Sequence, residues 1–218
     1  MWGMPLEKVS PDILSRVPVR GDENEEYFPG DDFQAMPKFG YQKMFEEILS
    51  HVNIDIRLGE KFRRNVDVES RFDLIFNSMS IDEYFEFEYG KLEYRSLKFH
   101  HYNVCVARLF PVATVNFTDD GPYTRITEWK NIPNVNLYAS NQFQTKITVE
   151  EPCSAEENSW QRFYPVPDLE GKNLKMYKRY QKDCPENMKF IGRCGQYKYI
   201  NMDQAVELAM GVCHECLG

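Results

Sequence analysis

The chain has no run of 18 apolar residues, so nothing in it is expected to span a membrane. It also lacks a cationic surplus: 26 Lys and Arg stand against 34 Asp and Glu, a net charge of −8. Binding to a nucleic-acid backbone needs the opposite balance, so no nucleic-acid partner is expected. An anionic ligand would have to be met by positive charge gathered locally. Histidine is scarce. None of His51, His100, His101 and His214 sits in a nucleophile context, and there is no G-x-S-x-G elbow. The first residues, Met1-Trp2-Gly3-Met4-Pro5-Leu6-Glu7, do not run from a basic stretch into an apolar one, which argues against a signal peptide. The six cysteines are scattered, and a chain of this length needs no disulfide staples, so a reducing cytoplasm is the expected location. Cys213-His214-Glu215-Cys216 is half of a zinc site with no second C-x-x-C to complete it. A fraying helix end is the favoured reading there, and no metal is expected.

What the sequence does hold is 218 residues, 42% hydrophobic and 14% aromatic, enough for a sizeable core and too aromatic for wholesale disorder. Ser10-Pro11-Asp12 starts a short helix that Pro18 ends. Residues 21–32 contain six acids and no base, a solvated loop whose apolar content is Tyr27-Phe28. A helix is predicted over 40–52, with Met44, Phe45, Ile48, Leu49 and Val52 on one stripe. Period-two alternation predicts a strand over 54–58, and a more buried one follows over 71–76. A short aromatic-rich helix covers 81–89. Strands are then expected over 94–99, 113–117, 124–129 and 145–150, separated by polar turns as in an antiparallel sheet. Helix returns over 173–180, a short strand over 188–192, a glycine-bounded loop over 192–195, and a last helix from 202 to about 213. The class is α+β, a mostly antiparallel sheet with flanking helices.

The last helix carries the best chemical signal. Asn201 can cap it and Gln204 stands at the reciprocal position of a capping box. Just before it, Gly192, Arg193 and Gly195 allow close backbone approach and fixed positive charge, suited to phosphate or a flavin edge. From spacing alone an ordinary cap with a surface arginine is the simpler reading. Elsewhere Arg16 and Arg20 precede Tyr27-Phe28, Arg125 follows Pro122-Tyr123, and Arg193 precedes Tyr197 and Tyr199. Each pair singly reads as surface packing; together, in an acidic chain, they hint at a diphosphate ligand.

Pro122-Tyr123-Thr124-Arg125-Ile126-Thr127-Glu128-Trp129-Lys130 resembles the UDP-galactopyranose mutase family of flavoenzymes. Further segments agree in the family's order. They include Trp2-Gly3, Arg16-Val17-Pro18-Val19-Arg20, Tyr27-Phe28, Ala35-Met36-Pro37-Lys38-Phe39-Gly40-Tyr41, Ile81-Asp82-Glu83-Tyr84-Phe85 and Tyr94-Arg95-Ser96-Leu97. Val115-Asn116-Phe117-Thr118, Phe163-Tyr164-Pro165-Val166 and Phe190-Ile191-Gly192-Arg193-Cys194-Gly195 through Met202-Asp203 follow. The resemblance implies interconversion of UDP-galactopyranose and UDP-galactofuranose with reduced FAD, whose N5 attacks the anomeric carbon and displaces UDP.

By resemblance, Arg16 and Arg125 match the arginines that hold the diphosphate, and Tyr27, Tyr164 and Tyr199 match tyrosines that donate to it. Trp2, Phe28 and Asn116 match the uridine and ribose region. Arg193 matches an arginine between flavin and substrate, Asn201 adjoins the substrate, and Met202 with Asp203 opens the helix that meets the flavin. Two departures stand out. Asn201 replaces the family's Asp, and the family's Gly-rich G-x-G-x-x-G segment is nowhere in this chain. The expected organisation is therefore part of a helical substrate domain with a mobile loop over 1–52, remnants of a flavin-binding α/β domain over 53–80 and 188–218, and an antiparallel-sheet substrate domain over 81–187. UDP-galactose is the implied partner, a homodimer is left open, and the chain alone is expected to be inactive. The rivals are a non-catalytic nucleotide-sugar-binding remnant and a piece of an amine-oxidase-like flavoprotein.

Overall fold

The computed structural model describes residues 7, 9–14, 21–24, 30–33, 35–132, 143–166 and 168–218. Trp2, Arg16, Tyr27 and Phe28 lie outside these. In chain order the elements are α1 (Pro11–Leu14), α2 (Gly40–Ile48), α3 (Val66–Glu69), β1 (Ile75–Asn77), α4 (Ile81–Tyr84), β2 (Tyr94–Val104) and β3 (Thr114–Asn116). There follow β4 (Arg125–Glu128), β5 (Thr145–Ser154), β6 (Tyr164–Pro165), α5 (Lys172–Lys182), β7 (Met188–Phe190), α6 (Gly192–Gly195) and α7 (Met202–Leu217). The chain is α+β, with one five-stranded sheet of order β3-β4-β5-β2-β6. Among the described residues no helix is long and apolar enough to cross a membrane.

Two compact units form. The first comprises Met1–Val17, Phe62–Leu97 and Cys153–Gly218; the second comprises Pro18–Lys61 and Lys98–Pro152.

In the first unit, Ile81, Tyr84, Phe85, Leu92, Tyr94, Tyr177, Tyr180 and Met188 build the core. Its rings meet edge to face or stacked, as with Tyr84 and Phe85 at 4.8 Å. Buried phenols keep partners: Tyr180 Oη donates to the Gly90 carbonyl at 2.7 Å, and Tyr84 Oη to Glu69 Oε2 at 2.9 Å. Burial pushes the Tyr84 phenol above its ordinary range, and the Glu69 carboxylate adds to this. Strands β1 and β7 pair in parallel, Ile75 opposite Met188 and Asn77 opposite Phe190. Strand β6 lies antiparallel to the start of β2, Tyr94 opposite Pro165 and Arg95 opposite Tyr164.

In the second unit, β3, β4 and β5 are antiparallel neighbours. Buried Ile126 and Glu128 alternate along β4 with Arg125 and Thr127, so Arg125 faces away from the buried side. Glu128 holds the preceding loop, accepting from the Phe110 amide at 2.7 Å and the Leu109 amide at 3.0 Å.

Several expectations need correction. Residues 54–58 form no strand: Leu58 is 87% exposed, and Arg57 bonds Asp55 within the segment at 3.1 Å. Alternation makes a strand only where a neighbouring strand accepts its ladder, and none among the described residues does. Helix α2 stops at Ile48, where Ser50 Oγ caps the Glu47 carbonyl at 2.8 Å. The helix expected over 81–89 ends at Tyr84, because Glu86 and Phe87 turn left-handed, with φ of 51° and 64°. The loop over 192–195 is a helical turn. Helix α7 runs past 213 to Leu217, so Cys213 and Cys216 are helical rather than frayed.

Candidate functional site

In the first unit the structure brings together Arg193, Tyr164, Tyr199 and the start of α7. Helix α6 begins at Gly192, whose φ of 74° favours glycine, and Gly195 presses on the end of β1. A Cβ at Gly195 would stand 2.9 Å from the Asn77 carbonyl oxygen. This close seat fixes Arg193 between them. Arg193 Nε donates to the Ile200 carbonyl at 3.0 Å, Nη2 donates to the same oxygen, and Nη1 donates to the Phe163 carbonyl at 3.1 Å. Its guanidinium lies over the rings of Tyr164 and Tyr199, 5.3 and 5.2 Å from their centroids. The two rings themselves meet edge to face at 5.6 Å.

A guanidinium carries five N–H donors, and three are used here. One on each Nη has no acceptor among the described residues, and no described carboxylate pairs with Arg193. Cation–π contact with two rings orients the charge without neutralising it. The result is a preset, two-pronged donor for an anion.

Ile200, the acceptor of Arg193, immediately precedes Asn201. The Asn201 amide donates to Gln204 Oε1 at 2.9 Å, and the reciprocal contact completes the capping box that the sequence predicts. Met202 and Asp203 are exposed in the first turn of α7. Arg95, which the sequence reasoning did not single out, stands opposite Tyr164 across β2 and β6. Direct partners in an antiparallel pair share a face, so its side chain leaves the sheet beside that of Tyr164. Only knowledge of the strand register could have found it.

In the second unit the structure joins Asn116 and Arg125. They are register partners of β3 and β4, and Arg125 Nε donates to Asn116 Oδ1 at 3.0 Å. Arg125 also stands opposite Glu150 of β5. Burial raises the Glu150 pKa, and the charge of Arg125 partly offsets this. With Nε tied to Asn116, both Nη groups of Arg125 lack an acceptor among the described residues. The next row on the same face is polar: Thr114 and Thr127 hydroxyls approach to 3.5 Å, and Thr148 Oγ1 accepts from Trp129 Nε1 at 2.7 Å. His101 Nδ1 meets the same hydroxyl at 2.8 Å.

Comparison with known proteins shows the family. The chain matches the family model described as UDP-galactopyranose mutase over residues 1–199. It is 31% identical to a UDP-galactopyranose mutase of Mycoplasma pneumoniae, aligning over 100% of this chain and 56% of that protein. It is 29% identical to a dTDP-fucopyranose mutase of Escherichia coli, over 96% of this chain and 55% of the relative. A probable UDP-galactopyranose mutase of Klebsiella pneumoniae is 31% identical, over 99% and 54%. The chain thus spans about half the length of the curated relatives it matches. On this evidence it belongs to the UDP-galactopyranose mutase family.

Proposed function

We propose that the chain is the C-terminal part of a flavin-dependent mutase that interconverts UDP-galactopyranose and UDP-galactofuranose, and that it supplies arginines for the diphosphate. The observation that carries this reading is Arg193. Its guanidinium is held by two backbone carbonyls and two tyrosine rings, and two of its donors have no acceptor among the described residues. Arg125, oriented by Asn116, is a second cation of the same kind in its own unit. Bidentate guanidinium donors suit phosphate oxygens. Charge that grows on a departing diphosphate is best met by donors already in place. Tyr164 and Tyr199 add hydroxyl groups and flat apolar faces against the Arg193 guanidinium. Arg16, Tyr27, Trp2 and Phe28 belong to the same proposal through the family resemblance.

For the flavin, the fit is partial. The α7 N-terminus offers its first amides and positive dipole end beside Arg193, which suits the polar edge of a flavin ring, with Met202 and Asp203 alongside. No G-x-G-x-x-G cradle for its pyrophosphate occurs in the sequence. When bound, reduced FAD would supply the nucleophile; this chain's residues bind, orient and shield the nucleotide sugar. The division into a helical part, flavin-domain remnants over 53–80 and 188–218, and a sheet domain belongs to this reading. So does a cytoplasmic location, supported by six free cysteines.

Calorimetric titration of the chain with UDP and with uridine at low salt tests the proposal. UDP should bind at least about tenfold more tightly, a difference of about 1.4 kcal/mol. Equal affinities would remove the diphosphate from the account.

A further inference from the structure

Among the described residues, Asp82 and Arg162 form the driest ion pair. Their side chains are 0% and 6% exposed, with Nη1 and Oδ1 2.7 Å apart. Drying two charges costs about what their attraction returns, so such a pair is a poor source of stability. Its connections are more telling. Asp82 lies in the first turn of α4, and its other oxygen accepts the Leu92 amide at 3.0 Å, just ahead of β2. The Arg162 guanidinium packs over Phe87 and Tyr94, at 5.4 and 5.1 Å. That side chain anchors the tripeptide that enters β6. Along it, the Arg162 carbonyl accepts from Cys194 Sγ at 3.7 Å, and the Phe163 amide donates to the Arg95 carbonyl at 3.1 Å. The Phe163 carbonyl accepts from Arg193 Nη1, and the Tyr164 ring lies under the same guanidinium.

We propose that Arg162, held by Asp82, is a positioning residue for Arg193: the buried pair fixes the strand that gives Arg193 its Nη1 acceptor and one of its two rings. The Ile200 carbonyl, accepting from both Nε and Nη2, holds one edge of the guanidinium, and the Phe163 carbonyl holds the other, so a turn about the Nε–Cζ bond must break the Nη1 bond as well as the Nη2 bond. Phe163 and Tyr164 lock it, and Arg162 locks them. The functional consequence rests on the nucleotide reading above; the mechanical claim does not.

The test is the rotation rate about the Arg193 Nε–Cζ bond in the 218-residue chain, read from exchange of its Nη signals by NMR. The double variant Asp82→Asn with Arg162→Met removes both charges, keeps an acceptor for the Leu92 amide, and keeps an apolar stem against Phe87 and Tyr94. In a folded double variant the rotation should quicken at least about tenfold, while Arg64, stacked on Phe85, stays unchanged. An unchanged Arg193, or equal quickening at Arg64, would overturn the proposal. If the double variant does not fold, Arg162→Lys is read in the same way, with the same two outcomes. UDP added to the wild type separates the questions: silence there sinks the nucleotide reading and leaves the rotation comparison standing.

Discussion

Arg125 Nε donates a hydrogen bond to Asn116 Oδ1 at 3.0 Å, from the position where the β3–β4 register sets the two side by side. The bond spends the inner donor of the guanidinium and leaves the fork facing out. Arg125→Lys replaces a planar fork by a point charge and should weaken UDP binding about tenfold or more. Asn116→Ala keeps the charge and frees its orientation, so a smaller loss, about two- to fivefold, is expected. Calorimetry with UDP reads both; equal losses would mean that Asn116 touches the ligand itself.

The start of α7 separates capping from charge. Asn201→Ala leaves helix donors unpaired and should cost about 1 kcal/mol in urea unfolding. Asn201→Asp keeps the cap and should change stability by less than ~1 kcal/mol, through the helix dipole. A silent Asn201→Ala would contradict the capping box seen here.

Glu128 sets a pH dependence. Burial opposes its charge, and the hydrogen bonds it accepts, among them the Phe110 and Leu109 amides and Asn131 Nδ2, outweigh burial and hold its pKa below the ordinary carboxylate range. A depressed pKa adds stability above the unfolded-state value of about 4.3 and loses it as pH falls through the folded value. Glu128→Gln should cost about 1–3 kcal/mol at neutral pH and flatten the acid limb of the stability curve. An unaltered acid limb in urea titrations would contradict this.

Flavin content is the next check. The purified chain should carry FAD far below one per chain, since no Gly-rich pyrophosphate cradle is present. A stoichiometric flavin absorbance spectrum would contradict that expectation.

Much of the fold was legible because its signals are local. The Ser10-Pro11 start, the Asn201/Gln204 box and the strand alternation around Ile126 and Ile147 all follow from neighbours within a few residues. What failed depends on distant chain. Residues 54–58 alternate correctly and still find no partner strand among the described residues, and the helix after Ile81 ends on left-handed residues that show no glycine. The Arg193 cluster was only half legible. Its glycines and arginine showed in the sequence, whereas the Phe163 carbonyl, Arg95 beside Tyr164 and the Asp82–Arg162 anchor depend on a strand register that spacing cannot supply.

The most direct measurement of the central claim is an NMR titration that follows the arginine Nε–H signals of the chain as UDP is added, with uridine as the control. UDP should move Arg193 and Arg125, and uridine should move neither. Movement of other arginines with these two unmoved, or identical responses to UDP and uridine, would contradict that claim.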